Sequence, residues 1–510
     1  MQTPECEAFL KVADQFQLGS LSTEQPHPLT ANLSYETQNN LPRAISLLKE
    51  VDEIALEKLQ AYASEIAEIG RDVEATLTAG NRIFLCGCGA TGRLSISLEV
   101  FSRSGMLPEK NRESVISFMA GGDTALTKTI EKFEDYPEYG ARQLTELGFG
   151  EGDLLISTTE GGETPFVIGA TEAASAISKR KPWFLFCNPV EDLLDKIERS
   201  DRILRNPGIR SLSLFVGPMG LSGSTRMQAS TVLMAAVAFA ICFGSNGEKI
   251  AEHLKRLSRT WKSLDLTGLD SLTRAEAAVY QRNEYVIYET ETAGVTVLTD
   301  TTERAPTFSL PPFENEWKPA ELTTWCYLCI PSAANSLTAW KKILLRPPRC
   351  LEWENTKELT GIRNMTGFYV GGDCHEKRRI KTGNSPHHVF KVEVKLSELL
   401  LRFQDLSFEV QLEDFMEIEL NLLLKMILNI HSTALMGIME RYESNLMTFV
   451  RPTNYKLIDR TIRYVQRLNE LQGNSPLDYF RLAEKLFEIA NQVPVNEPMV
   501  LRLLENIRKE

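Results

Sequence analysis

Apolar residues recur at helical spacing through residues 41–77, which predicts one or two amphipathic helices. Five short apolar runs follow, at 83–86, 115–119, 154–157, 183–187 and 212–216, each separated from the next by a helical pattern. Strands alternating with helices of this length predict a parallel sheet covered on both faces. A long apolar helix over about 222–243 closes this first lobe. A second alternation begins near Asn283, with strands expected at 285–288, 324–330 and 389–394 and a long helix over 414–442. The RPPR stretch at 346–349 and the segment 371–386 read as breakers or insertions. After about residue 455 only helical periodicity remains, and the polar first 40 residues read as an arm. The expected architecture is α/β: two doubly wound parallel-sheet lobes in tandem, at 41–265 and 266–454, then a small helical tail or lid at 455–510.

Composition narrows the function classes. The chain has 510 residues, 43% hydrophobic and 24% charged, which suits a globular protein with more than one core. Its N-terminus lacks the basic and apolar regions of a leader, and no apolar run reaches the roughly 18 residues that span a bilayer; the nearest candidate, 232–243, is too short. A cytoplasmic protein without a membrane partner is expected. A net charge of −12 argues against nucleic acid, because phosphate backbones need a basic face. It leaves room for a small phosphorylated ligand, since one phosphate can be held by amides at a helix start. Nine cysteines, an odd number, read as reduced thiols. Cys326 and Cys329 have CxxC spacing, and Cys374-His375 and His387-His388 follow. That pair lies in an apolar strand-like run with no second CxxC, so no metal is expected.

The candidate chemistry centres on Cys86-Gly-Cys-Gly-Ala-Thr-Gly-Arg93, which ends one strand and opens a helix. Gly87, Gly89 and Gly92 let a backbone approach an anion, with the amides around Ala90 and Thr91 and the Thr91 hydroxyl as donors. The same residues read as GxGxxG, but a dinucleotide site expects an acid at the end of the second strand. Here that strand runs into Met119-Ala-Gly-Gly122, and the first acid, Asp123, comes late. No cofactor is therefore expected. A second turn, 157–165, offers Thr159, Gly161, Gly162 and Thr164 ahead of a Thr-Pro helix start. Its Glu160 and Glu163 would repel a phosphate, or face sugar hydroxyls or solvent.

These motifs resemble the SIS (sugar isomerase) domain of the N-acetylmuramic acid 6-phosphate etherases and of glucokinase regulatory protein. The resemblance runs through His27-Pro-Leu-Thr30, the glycine loop, Met119-Ala-Gly-Gly122, Phe133-Glu-Asp135, Glu163-Thr-Pro-Phe166, Cys187-Asn-Pro189, Val216-Gly-Pro218 and 221–227. It implies flavodoxin-like lobes, a sugar-phosphate ligand and, from the tandem layout, an internal pseudo-dimer that can act as a monomer. In the second lobe, 299–308 resembles the etherase segment that carries a catalytic glutamate, here Glu303; the first lobe has Phe101 there. Glu99, two helical steps away, faces elsewhere. Conversely, Glu289 and Glu291 replace the loop glycines in lobe two. The family's helix lysine is Met234 in lobe one and Lys425 in lobe two. The resemblance thus implies one composite site, with the Gly87–Thr91 loop, Thr159 and Glu134 from lobe one and Glu303 and Lys425 from lobe two.

Three functions fit that site. In an etherase-type lyase releasing D-lactate, Glu303 protonates the leaving group, Glu134 moves a proton near C1–C2, and Lys425 neutralises phosphate charge. In a non-catalytic sensor of fructose phosphates, the partner is a sugar kinase, although the tail is only about half the length of the regulatory protein's lid. An aldose–ketose isomerase ranks last.

Overall fold

The computed structural model describes residues 4–509 except 17, 129, 131, 132 and 319–321. In the first lobe, β1 (Ile83–Gly87), β2 (Val115–Met119), β3 (Leu154–Thr158), β4 (Trp183–Phe186) and β5 (Arg210–Ser213) form a wholly parallel sheet in the order β2-β1-β3-β4-β5. The inner strands are buried on both faces, which is why they read as unbroken apolar runs. β5 begins earlier than its apolar run predicts, because it is an edge strand and needs only one apolar face. The strand order reverses between β1 and β3, so the loops leaving these strands flank the crevice where ligands bind in open α/β sheets. Both glycine turns sit there. The helix Gln228–Phe243, buried from Gln228 to Ile241, closes the lobe.

The second lobe is also α/β, but its sheet is mixed rather than doubly wound and parallel. β6 (Tyr285–Glu289) lies between the parallel strands β7 (Cys326–Cys329) and β8 (His387–Lys395). β9 (Glu398–Phe403) and β10 (Leu406–Gln411) then extend the sheet as an antiparallel meander. Neither was expected. Leu399, Leu400 and Leu401 are all buried, so β9 has no alternation, and leucine favours helix. The β9–β10 turn is Gln404-Asp405, with Gln404 at φ 55°, and lacks the glycine that usually announces a two-residue hairpin.

Helix Glu417–Ile438 is long and apolar enough to cross a membrane by length and composition, but 94% of its apolar window is buried inside the fold. It is the core helix that touches both lobes' central helices. The N-terminal segment is more ordered than an arm, with helices at Pro4–Leu10 and Leu33–Asn39. The tail forms helices Tyr455–Leu471, Tyr479–Ile489 and Met499–Arg508. It folds back onto the N-terminal segment, where Arg460 and Arg463 grip Glu24, and onto lobe one, where the Tyr464 hydroxyl donates to Ser222 O at 2.7 Å.

The RPPR stretch is a clamp between lobes rather than a simple breaker. Arg346 reaches Glu99 at 3.1 Å and Asp123 at 2.5 Å, and Arg349 reaches Glu99 at 2.7 Å. Burial alone would raise the Glu99 carboxyl, but Arg346, Arg349 and Ser117 overcome it and hold it at about 2. Its stabilising contribution is complete above the ordinary carboxylate range and fades as pH falls towards 2. Replacing Arg346→Met leaves two buried carboxylates short of a partner, and should cost about 3–5 kcal/mol in urea unfolding at neutral pH. It should also flatten the acid limb of the stability–pH curve.

Candidate functional site between the lobes

The three glycines of the first loop do different work. A Cβ on Gly87 would lie 2.3 Å from the Thr91 backbone, and one on Gly92 would lie 2.6 Å from Met119 Cβ. These two glycines let strand pack against helix. Gly89, at φ 54°, has open space where a Cβ would project. The helix Gly89–Phe101 starts there, and the amides of Gly89 and Ala90 have no intrahelical acceptor, so they form the anion-facing end. Thr91 is turned inward. Its Oγ accepts from Cys88 N at 3.0 Å and donates to Cys88 O at 2.9 Å, capping its own helix rather than offering a donor to an anion.

The second turn is similarly internal. Thr159 and Thr164 share a 3.0 Å hydroxyl contact, Gly161 O accepts from Asn188, and Gly162, at φ 83°, packs on Leu193. Thr164 alone of these borders the cleft. The two acids of this turn part company. Glu163 is ion-paired with Arg199 at 3.0 Å and Lys456 at 2.8 Å. Burial raises its carboxyl, but the two cations outweigh burial and hold it at about 2. Glu160 faces the cleft, accepts from the Ser230 hydroxyl at 3.2 Å, and is raised by burial to about 7. Of these two acids, Glu160 is the one that faces the cleft.

The cleft itself has a volume of about 350 Å³ and lies where the lobes and the tail meet. Lobe one contributes Gly89, Ala90, Glu134 and Glu160, lobe two contributes Glu303, and the tail contributes Lys456 and Arg460. Half-buried Glu134 is raised by burial and by Glu163 and Asp135, against the pull of Lys456 at 3.8 Å. Glu303 crosses from its helix, Gly294–Phe308, to Arg93 of the glycine motif, with Oε1 2.6 Å from Nη1. Both side chains are buried, so this ion pair ties the lobes together at the cleft floor.

Lys425 is elsewhere. Its ammonium donates to Arg226 O and to the Thr231 hydroxyl, each at 2.8 Å, and it lines a small internal cavity behind Ala90 and Glu303. Burial lowers Lys425 and raises its neighbour Asp52. The lysine that borders the open cleft is Lys456, beside Arg460, and it was not anticipated from sequence. One signal was present: Lys456 lies in the first turn of its helix, after the Asn454 cap, where the helix dipole disfavours a cation unless acids face it. Glu163, Glu134 and Glu24 do face it and raise its affinity for a proton above that of an ordinary lysine, against burial.

In lobe two the matching loop is closed to anions. Glu289 bonds His375 at 2.7 Å, and Glu291 accepts from Ser332 N at 2.7 Å. Phe101, in the position matching Glu303, is a buried core residue. Among the described residues, the open cleft borders the lobe-one loop and Glu303, and not the lobe-two loop.

A family model for the glucokinase regulatory protein N-terminal SIS domain matches residues 65–175. N-acetylmuramic acid 6-phosphate etherase from Thermosynechococcus vestitus is 30% identical over 280 residues, which cover 53% of this chain and 85% of that protein. The etherase from Klebsiella aerogenes is 29% identical over 216 residues, 42% of this chain and 66% of its own length. Among solved structures, the C-terminal domain of glucosamine-fructose-6-phosphate aminotransferase from Francisella tularensis superposes with a TM-score of 0.38 at 10% identity, over 78% of this chain and 95% of that one. With 85% of an etherase matched at 30% identity, on top of the parallel first-lobe sheet and its glycine loop, the chain belongs to the SIS-domain family of the N-acetylmuramic acid 6-phosphate etherases and glucokinase regulatory protein.

Proposed function

We propose that the interlobe cleft binds a phosphorylated amino sugar and carries out an etherase-type elimination on it. The observation that supports this most is the meeting, in one cleft, of the Gly89–Ala90 helix start and Lys456 with the two carboxyls Glu134 and Glu303. An amide-rich helix end beside an ammonium suits a phosphate dianion. Two carboxyls beyond it suit proton transfer to and from a sugar ring. The two lobes then act as an internal pseudo-dimer with one working site.

In this reading one carboxylate takes the C2 proton of the sugar and the C3–O bond breaks. The bonding pair leaves on the lactate oxygen, which collects a proton from the second carboxyl. Water then adds across the C2=C3 bond, hydroxyl to C3 and hydrogen to C2. Burial raises the Glu134 carboxyl, which suits it to the proton-donor role and leaves Glu303, at the other side of the site, as the acceptor. That exchanges the roles the family resemblance implies.

A second reading, a sugar-phosphate sensor acting on a sugar kinase, is favoured by the tail. Lys456 and Arg460 form a wall of the cleft, so ligand binding bears directly on the tail's position.

Incubation with N-acetylmuramic acid 6-phosphate should release D-lactate from the wild type and not from Glu134→Gln or Glu303→Gln. No release, together with a rise in melting temperature on adding a fructose phosphate, selects the sensor. No thermal shift with any sugar phosphate sinks both readings.

Lys456→Met should weaken sugar-phosphate binding about 10–100-fold in calorimetry while leaving binding of the unphosphorylated sugar unchanged. Affinity for the phosphate should fall as pH rises through about 7, where Glu160 ionises beside the anion. Glu160→Gln should hold its affinity better than the wild type between pH 6 and 8, measured by the same titration.

A further inference from the structure

The second lobe's closed loop gathers a set of side chains that the cleft does not use. Glu289 ends β6 and Cys329 ends β7, and the parallel register places them side by side. The helix Cys374–Thr382 begins against the same edge and brings Cys374 and His375. A carboxylate oxygen of Glu289, the Cys329 sulfur and a ring nitrogen of His375 all lie within 4.8 Å of one another. Cys374, the first residue of that helix and the neighbour of His375 in sequence, is fully buried.

We propose that Glu289, Cys329, Cys374 and His375 bind one zinc ion at the C-terminal edge of the second sheet. Thiolate, imidazole and carboxylate are the donors zinc takes in four-coordinate sites, whereas magnesium and calcium avoid sulfur. The CxxC spacing is not the source of the site. Residues three apart on a strand point to opposite faces, and Cys326 accordingly contacts Thr301 O while Cys329 contacts Gly371 O. The ligands come from three separate elements, which only the fold brings together.

Burial distinguishes this site from a thiol nucleophile. Cys329 and Cys374 have no exposed surface, so neither offers its sulfur to a substrate. The Glu289 and His375 side chains are 18% and 37% exposed, which gives an ion a way in from solvent. The bound ion would pin the helix Cys374–Thr382 to the ends of β6 and β7. Glu289 stands where lobe one has Gly87, so the change that closed the anion loop supplied a metal ligand.

The full chain, reduced and stripped of metal with a chelator, is titrated with cobalt(II) and then with zinc(II). The wild type should take up one cobalt per chain, with thiolate-to-cobalt charge-transfer bands and tetrahedral d–d bands that zinc abolishes, and zinc should raise its melting temperature. Cys329→Ser and Cys374→Ser should each weaken zinc binding by about tenfold or more and reduce the charge-transfer intensity. Cys326→Ser, on the opposite face of the same strand, should bind as the wild type does. His375→Ala changes a partly exposed ring and should show the same loss of affinity even where the buried serine variants fold poorly. Absence of stoichiometric cobalt uptake by the wild type, or uptake unchanged in both Cys329→Ser and His375→Ala, overturns the proposal.

Discussion

The ion pair between Arg93 and Glu303 is the contact on which the site depends. It joins the helix that follows the anion loop to the corresponding helix of the other lobe, with both side chains out of water. Two buried charges at 2.6 Å are tolerated only together, since removing either strands the other in a low-dielectric floor. A second cross-lobe cluster backs it, in which Arg226 reaches Asp300, Asn429, Ser432 and Thr433. Relative placement of the lobes, and hence the width of the cleft, is set by these polar contacts more specifically than apolar packing could set it. A guanidinium has a fixed fork, whereas apolar packing tolerates sliding.

The same positions explain why, among the described residues, a cleft opens at the lobe-one loop and not at the lobe-two loop. On the opposite side of the pseudo-twofold, Val295 stands where lobe one has Arg93, and Phe101 stands where lobe two has Glu303. Both are buried, so there an apolar combination replaces the ionic one. The loop on that side is closed by Glu289 and Glu291, each engaged by a neighbour. On the open side the tail forms one wall of the cleft, where Lys456 pairs with Glu163 behind it and lies 3.8 Å from Glu134. Separation of charge roles follows from packing: Glu163 is neutralised by two cations and serves structure, while Glu160 lacks such a partner and faces the ligand space.

Much of lobe one was legible before the structure. Strands buried on both faces produce continuous apolar runs, and β1 to β4 fell where those runs lie. Lobe two was less legible because its sheet continues through an all-leucine stretch and a turn without glycine. The site divided in the same way. Gly89, Ala90, Glu134 and Glu303 border the cleft, whereas Thr91 and Thr159 spend their hydroxyls on internal bonds and Lys425 sits behind the floor. A motif shows which residues a loop contains, but a hydroxyl's direction depends on which backbone amide lies nearest once the helix has formed.

Hydrophobic periodicity and the glycine spacing determined the α/β class, the parallel first sheet and the strand-to-helix anion loop, because these are local consequences of residue order. The tertiary structure alone decided that Lys456, more than three hundred residues from Glu134, comes within 3.8 Å of it at the cleft. It also decided that the RPPR stretch clamps Glu99 and Asp123, and that Cys329 finds Glu289 and His375 rather than Cys326. Charges and metal-type ligands far apart in the chain meet only when two sheets and a tail have packed. Their mutual electrostatics, which fix which acid is ionised and which can give up a proton, exist only at that stage.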